Sequence, residues 1–381
     1  MHTLRPPTME NTEAPNQATV ERAVQMAVDW LLNNQMQGKD GGFATYDFVT
    51  GWTSSYPETT GYIAETLLKW PQLRNSEKIV ISAQKALDWL VSIQKPSGGW
   101  AGGYVSENRP EIVFNTGQVL RGLLKGYFFL KKTDYLDAAT RAADWLVKIQ
   151  HPDGFWDKHV YMNAVRVYDT YVAAPLYELG ELTNTANYRK AALKNAIWVV
   201  KNKQLPNGWL VDADNTLKHN DKPILHTIAY TLDGLLDVAI QSGNEEIFQS
   251  AVLTASTIAQ KVKAEKILKG RYDKNWTGYR SICNTGVAQV AIVFAKLHQK
   301  TGDTHWQASY NCLINYLLQQ QLTHLRNPSL KGALTGSTPI WGRYEPFRLP
   351  NWGVKYLIDA LLYNNLINGL EHERPATRTY P

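Results

Sequence analysis

One pattern recurs through the 381 residues and restricts the fold more than any other feature. A helix-period apolar segment runs into a polar turn that carries glycine and a bulky aromatic. It reads AVDWLLNNQMQGKDGGF at 27–43, ALDWLVSIQKPSGGW at 86–100, AADWLVKIQHPDGFW at 142–156 and AIWVVKNKQLPNGW at 196–209. Trp30, Trp89, Trp145 and Trp198 mark these copies, 59, 56 and 53 residues apart. Two weaker copies follow, one around 250–263 leading to Trp276 and one at 311–321. A fixed period of this size means one supersecondary unit used repeatedly, each copy burying its apolar face on the next.

A second kind of helix alternates with the first. YPETTGYIAETLLKW (56–70), IVFNTGQVLRGLLKGYFFL (112–130) and VYDTYVAAPLYELGELT (167–183) are the first three, and copies at 224–243, 282–302 and 351–365 complete the set. These segments are apolar nearly all round and rich in Ala and Gly, as a helix buried on most sides must be. Amphipathic helices alternating with buried ones imply an outer ring around an inner ring. Six copies allow that ring to close, which removes the exposed ends of an open solenoid. The expectation is an all-α (α/α)6 barrel, a toroid of six helical hairpins in one domain over 19–370. Residues 1–18 and 371–381 are expected to be flexible tails.

The motif Trp89-Leu90…Gln94…Gly98-Gly99-Trp100 resembles the QW-type repeats of terpenoid cyclases and protein prenyltransferase β-subunits. The alternation of helices also resembles the six-hairpin glycosidases and the toroid polysaccharide lyases. The similarity runs over roughly 20–366 and implies the fold, which hosts unrelated chemistries.

Composition narrows the function. Forty basic against 34 acidic residues give +6, a mildly basic surface without a dense Lys/Arg block, which argues against nucleic acid as partner. No apolar run is long enough to span a membrane, and no apolar leader opens the sequence, so a cytoplasmic protein is expected. Two cysteines, Cys283 and Cys312, are too few for a disulfide framework. There are 13 Trp and 20 Tyr but only 9 Phe, so most rings carry a polar handle and suit stacking on sugars.

In a closed ring all inner helices start at one mouth, where their unpaired N–H groups favour anions and polar oxygens. Glu58, Asn115, Asp169, His226, Asn284 and Trp352 fall at those starts. Asn and Asp there serve equally as N-caps, whereas Glu58 and His226 are poor caps. Glu58, Asp169 and His226 are therefore the catalytic candidates. Two carboxylates flanking a scissile oxygen hydrolyse a glycosidic bond, and Glu58 and Asp169 can face each other across the ring. Elimination on a uronic acid instead needs a base, such as His226, Tyr168, Tyr171 or Tyr230, and a neutraliser, such as Arg166, Arg280 or Asn115. Asn115, Arg166, Tyr168, Tyr171, Arg280, Asn284, Trp341, Arg343 and Trp352 are the expected substrate-binding residues. Trp341 and Arg343 enter because they lie, with Tyr344, Glu345 and Arg348, in a long insert at 332–350.

The expected activity is that of a carbohydrate-active enzyme, a glycoside hydrolase or a β-eliminating lyase, acting on an anionic oligo- or polysaccharide. Two alternatives stand beside it: an enzyme acting on an isoprenoid, and a non-catalytic glycan-binding protein. Asp212-Ala-Asp214-Asn215-Thr216 resembles the acid motif of class II terpene cyclases, with Asn215 in place of its third acid, and reads otherwise as a solvated turn. No tight Cys or His spacing unites Cys283, His226 and Asp169 as a zinc site, and no phosphate-binding glycine loop is present, so no metal and no cofactor are expected.

Overall fold

The computed structural model describes residues 8–279 and 281–369. Its helices are α1 (Gln17–Gly38), α2 (Pro57–Lys69), a one-turn α3 (Pro71–Arg74), α4 (Glu77–Ser92), α5 (Val113–Leu130), α6 (Thr133–Ile149) and α7 (Thr170–Leu182). There follow α8 (Ala186–Asn202), α9 (Leu225–Ser242), α10 (Glu245–Glu265), α11 (Asn284–Thr301), α12 (Thr304–Gln320) and α13 (Asn351–Ile367). Five two-residue strands decorate the loops: β1 (Tyr46–Asp47), β2 (Gly51–Trp52), β3 (Ile282–Cys283), β4 (Ser337–Thr338) and β5 (Arg348–Leu349).

The all-α (α/α)6 toroid expected from the repeats is the observed fold. Inner helices α2, α5, α7, α9, α11 and α13 pack each on the next, and α13 returns to α2 to close the ring. Outer helices α1, α4, α6, α8, α10 and α12 surround them. In α6 the buried residues Ala138, Ala139, Ala142, Ala143 and Leu146 form the one apolar stripe of an outer helix, while α13 is buried without a break from Asn351 to Tyr363. Inner helices come close because they carry glycine at the contact: a Cβ on Gly61 would lie 2.5 Å from Val119 Cα of α5. No helix among the described residues is long and apolar enough to cross a membrane.

The recurring glutamine and glycine join the hairpins. The Gln94 amide donates to Gly98 O of its own turn and to Ala138 O of the next outer helix, both at 2.9 Å. Gln35 does the same with Gly41 O and Ser82 O, and Gln150 with Gly154 O and Ala191 O. Gln204 reaches Ser250 O and Thr254 Oγ1, which in turn donates to Gly208 O. Gln321 closes the circle, bonding Gly332 O and Ala23 O of α1. The turn glycines have positive φ and lie against the neighbouring helix, so that a Cβ on Gly154 (φ 107°) would sit 2.6 Å from Lys194 O. The following aromatic tucks under its own helix: Trp100 Nε1 donates to Leu90 O and Trp156 Nε1 to Leu146 O.

The joint between α10 and α12 lacks the glutamine, and the N-terminal segment takes its place. Met9, 1% exposed, donates its N–H to Lys266 O at the end of α10, and its sulfur accepts from Leu268 N. Asn311 of α12 donates to Thr12 O, and Asn315 to Asn11 O and Glu13 O. The segment expected to be a flexible tail over 1–18 is therefore, from Met9 on, a strap that ends in α1. The expected tail 371–381 lies outside the described residues.

The insert 332–350 is pinned over the mouth by the strands. β5 pairs antiparallel with β1 of the first hairpin, and β4 pairs antiparallel with β3 ahead of α11. This brings Tyr344, Glu345 and Arg348 from the last repeat to the starts of α2 and α9.

Candidate active site

At the N-terminal ends of the inner helices lies a cavity of about 320 Å³. Glu58 stands at the second position of α2, Phe114 and Asn115 in the first turn of α5, His226 and Thr227 in that of α9, and Trp352 at the second position of α13. Tyr168 enters just ahead of α7. Side chains from the first turns of the inner helices, or just ahead of them, thus converge from five of the six. The sixth, α11, is covered by the insert.

The walls are aromatic with polar tips. Tyr56 packs edge-on against Trp352 at 6.1 Å and beside Tyr104 at 5.2 Å, and Phe114 meets Tyr168 edge-on at 5.1 Å. Trp352 Nε1 donates to the Tyr344 hydroxyl at 2.6 Å, which fixes the insert to α13. Tyr230 and Tyr344 flank the His226 ring at 4.3 and 5.1 Å.

Two groups are set for proton transfer. Glu58, 9% exposed, accepts from the Tyr56 hydroxyl at 2.8 Å. Burial pushes its carboxyl up to about 7, against the lowering effect of that hydroxyl. His226 contacts Gln289 Oε1 through Nδ1 at 2.6 Å. An amide oxygen only accepts, so Nδ1 carries the proton and Nε2 is left with its lone pair. Burial pulls this imidazole down to about 4, against the raising effect of Gln289, and keeps it neutral at pH 7. An acid that keeps its proton up to about neutral pH and a base that has already lost its own share one cavity, the arrangement proton-transfer chemistry requires.

The other expected residues divide. Asn115, Tyr168 and Trp352 line the cavity with Glu58 and His226. Asp169 does not; it is 2% exposed behind the wall, and burial pushes it up to about 8 despite Arg166. Its Oδ2, and Nε and Nη2 of the equally buried Arg166, have no hydrogen-bond partner. The expected opposition of Glu58 and Asp169 across the mouth is thus not formed, because the 3-10 turn Val167–Asp169 puts Tyr168, not Asp169, on the cavity side.

Tyr171 faces a second cavity of about 380 Å³ at the opposite end of the bore, its ring 3.8 Å from the Arg121 guanidinium. Asn284 is fully buried and saturated: it donates to Thr335 O and Thr338 Oγ1 and accepts from the Tyr316 hydroxyl, so it holds the insert rather than a ligand. Trp341 is 67% exposed and Arg343 is exposed, and neither lines the cavity. Arg280 lies outside the described residues.

The acid-like motif is structural. Asp214, with no exposure, accepts from Ile224 N, Thr216 and the Arg271 guanidinium, while Asp212 is held by Lys203 and Asn220. Only Asn215 of this stretch reaches the mouth. Cys283 accepts from Gly286 N, and among the described residues no three His, Cys, Asp or Glu side chains group as a metal site.

Sequence reasoning passed over Tyr56, Tyr62, Phe114, Tyr161, Glu107 and Arg109, all in the lining. For Tyr62 a signal was available. Glu58 and Tyr62, like His226 and Tyr230, stand four residues apart on one helix face. The loop residues carry no such mark.

Comparison with known proteins gives two directions. Residues 6–165 match the family model of the squalene-hopene cyclase C-terminal domain. A terpene cyclase-glycosyl transferase fusion protein of Humicola fuscoatra is 31% identical over 165 residues, and an enfumafungin synthase of Hormonema carpetanum is 27% identical over 166. These matches cover 36% and 38% of this chain and 12% of each relative. Among solved structures, an unsaturated glucuronyl hydrolase specific for heparin superposes with a TM-score of 0.74 at 16% identity, covering 93% of this chain and 99% of that one. A cellobiose 2-epimerase from Bacillus thermoamylovorans superposes with 0.70 at 12% identity, covering 91% and 98%. A closed double ring, joints repeated through glutamine and glycine, and near-complete superposition on such enzymes show that the chain has the (α/α)6-toroid fold.

Proposed function

We propose that the mouth is the active site of a carbohydrate-active enzyme that hydrolyses a glycosidic bond. Glu58 gives its proton to the leaving glycosidic oxygen as the bond to the anomeric carbon breaks. Water attacks that carbon, and His226 Nε2 takes the water's proton. The observation that carries this reading is the pairing of a protonated Glu58 with a neutral His226 inside walls of ring and hydroxyl, the surface that stacks on sugar faces and bonds sugar hydroxyls. His226 thus takes the part that two-carboxylate reasoning gave to Asp169. Similarity of fold to glucuronyl hydrolases and a sugar epimerase supports the same class.

The isoprenoid reading draws on the cyclase family match over 6–165 and on the aromatic walls. Against it, the cavity offers Glu58, Asn115, Asn215 and several tyrosine hydroxyls, nucleophiles that would trap a carbocation. Elimination needs a cation to neutralise the uronate carboxylate. Both arginines among the described lining residues are already engaged, Arg109 by Glu107 and Arg348 by Asp47 and Glu345.

The test is turnover of a panel of neutral and uronate-containing oligosaccharides, following reducing ends and the absorbance of unsaturated uronates. Reducing ends released by the wild type and lost in both Glu58→Gln and His226→Ala support hydrolysis. Growth of absorbance, lost in His226→Ala, overturns it in favour of elimination. A folded protein silent across the panel overturns the glycoside reading.

A further inference from the structure

We propose that the mouth selects an uncharged sugar, because each cation among the described residues that line it is already held by a carboxylate of the protein. This rests on the glycoside reading above, names the substrate class within it, and departs from the anionic glycan that the net charge of the chain suggests.

The pairing is specific. Arg109 Nη2 lies 2.8 Å from Glu107 Oε1, and the other Glu107 oxygen accepts from Tyr104 N at 2.8 Å, so that pair is anchored to the backbone of its own turn. Arg348 Nε lies 2.8 Å from Asp47 Oδ2, and its Nη1 3.3 Å from Glu345 Oε2. The strand pair β1–β5 sets Asp47 opposite Arg348, so this contact is built into the sheet that holds the insert. His226 is neutral at pH 7. Among the described lining residues, the carboxylates of Glu107 and Glu345 therefore face two guanidiniums, with Asp47 behind and the protonated carboxyl of Glu58 beside them. A uronate or sulfated sugar would meet no unengaged cation there, and a desolvated anion without a partner is strongly disfavoured.

Helix starts favour anions, and six of them point this way. Their first donors are largely taken. Val113 N of α5 donates to His159 O at 2.8 Å, Leu225 N of α9 to Gly270 O at 2.9 Å, and Asn284 N of α11 to Gly336 O at 3.1 Å. The first residue of α2 is Pro57, which has no N–H. Beside Glu58 and His226, the described lining offers a ligand ring faces, tyrosine hydroxyls and the amides of Asn115 and Asn215, groups that read uncharged hydroxyls.

The experiment measures binding of matched oligosaccharides that differ only in a terminal glucose or glucuronate, by calorimetry on the wild type and on Glu58→Gln, whose cavity is kept while turnover is removed. The expected result is a preference for the glucose-terminated ligand of roughly tenfold or more, with little dependence on salt. Glu345→Gln, which removes one of the two carboxylates on Arg348, is expected to narrow that preference. Equal or tighter binding of the glucuronate-terminated ligand overturns the inference and leaves the glycoside reading standing. Binding of neither ligand, nor of any glycan in the panel, overturns the glycoside reading and this inference with it.

Discussion

Replacing Glu58 by glutamine is expected to remove turnover and, above neutral pH, to make the protein more stable. The carboxyl is moved from an ordinary 4.5 to about 7 by burial. Below the lower value both folded and unfolded chains hold the proton, and the site has no pH-dependent effect. Between the two values the folded chain keeps a proton that the unfolded chain has lost, so stability falls with each step up in pH. Above about 7 the full penalty is present, roughly 3 kcal/mol at 1.36 kcal/mol per tenfold. Glutamine is nearly isosteric, still accepts from the Tyr56 hydroxyl through its amide oxygen, and never ionises. For a chain of this length, unfolding entropy near 2.1 cal/mol/K per residue turns that energy into about 4 °C of melting temperature. Scanning calorimetry of wild type and Glu58→Gln near pH 4 and near pH 8 checks it. The variant should match the wild type in acid and melt higher in base. An equal difference at both pH values, or a lower melting temperature near pH 8, would refute the buried, protonated carboxyl on which the mechanism depends.

Other outcomes follow from the same structure. For hydrolysis, kcat/KM should rise through about 4 as His226 loses its proton and fall through about 7 as Glu58 loses its own; a rate flat from neutral to alkaline pH would contradict that assignment. Gln321→Leu breaks the two bonds that close the ring on α1 and leaves two carbonyls short of a donor, a loss of about 2–4 kcal/mol measurable by urea unfolding; a loss no larger than that of an exposed substitution would show the joint to be incidental. Asp214→Asn leaves the Arg271 guanidinium without its carboxylate and should cost about 3 kcal/mol of stability while the folded fraction keeps its activity; activity lost without destabilisation would make Asp214 an acid of the site.

Individual repeats show how far the chain could be read. Gln94, Gly98 and Trp100 announce a joint, and the structure gives each a local partner: Ala138 O, the backbone of α6 and Leu90 O. The threonine recurring near each inner-helix start was legible as a position but not as a device. Thr60 Oγ1 accepts from Phe43 N, and Thr116 Oγ1 from Trp100 N, tying each aromatic turn to its inner helix. Asn284 shows the limit. Its place in the repeat matches that of Asn115 and His226, yet in this copy the insert lies on it and consumes its donors and acceptor.

The period, the alternation of half-buried and fully buried helices, and hence the closed double ring were legible in the order of residues, because burial of a periodic apolar face is a local property repeated along the chain. The same order determined that side chains at the inner-helix starts, Glu58, Asn115, His226 and Trp352, share a mouth. Which neighbour of a register position turns inward was settled by tertiary packing: Tyr168 does, and Asp169, one residue further on, does not. That packing alone decided that the N-terminal strap stands in for the missing joint between α10 and α12, and that Arg348, 301 residues from Asp47, arrives already paired. Those outcomes depend on contacts between segments remote in sequence, and on what burial does to a charge once they meet.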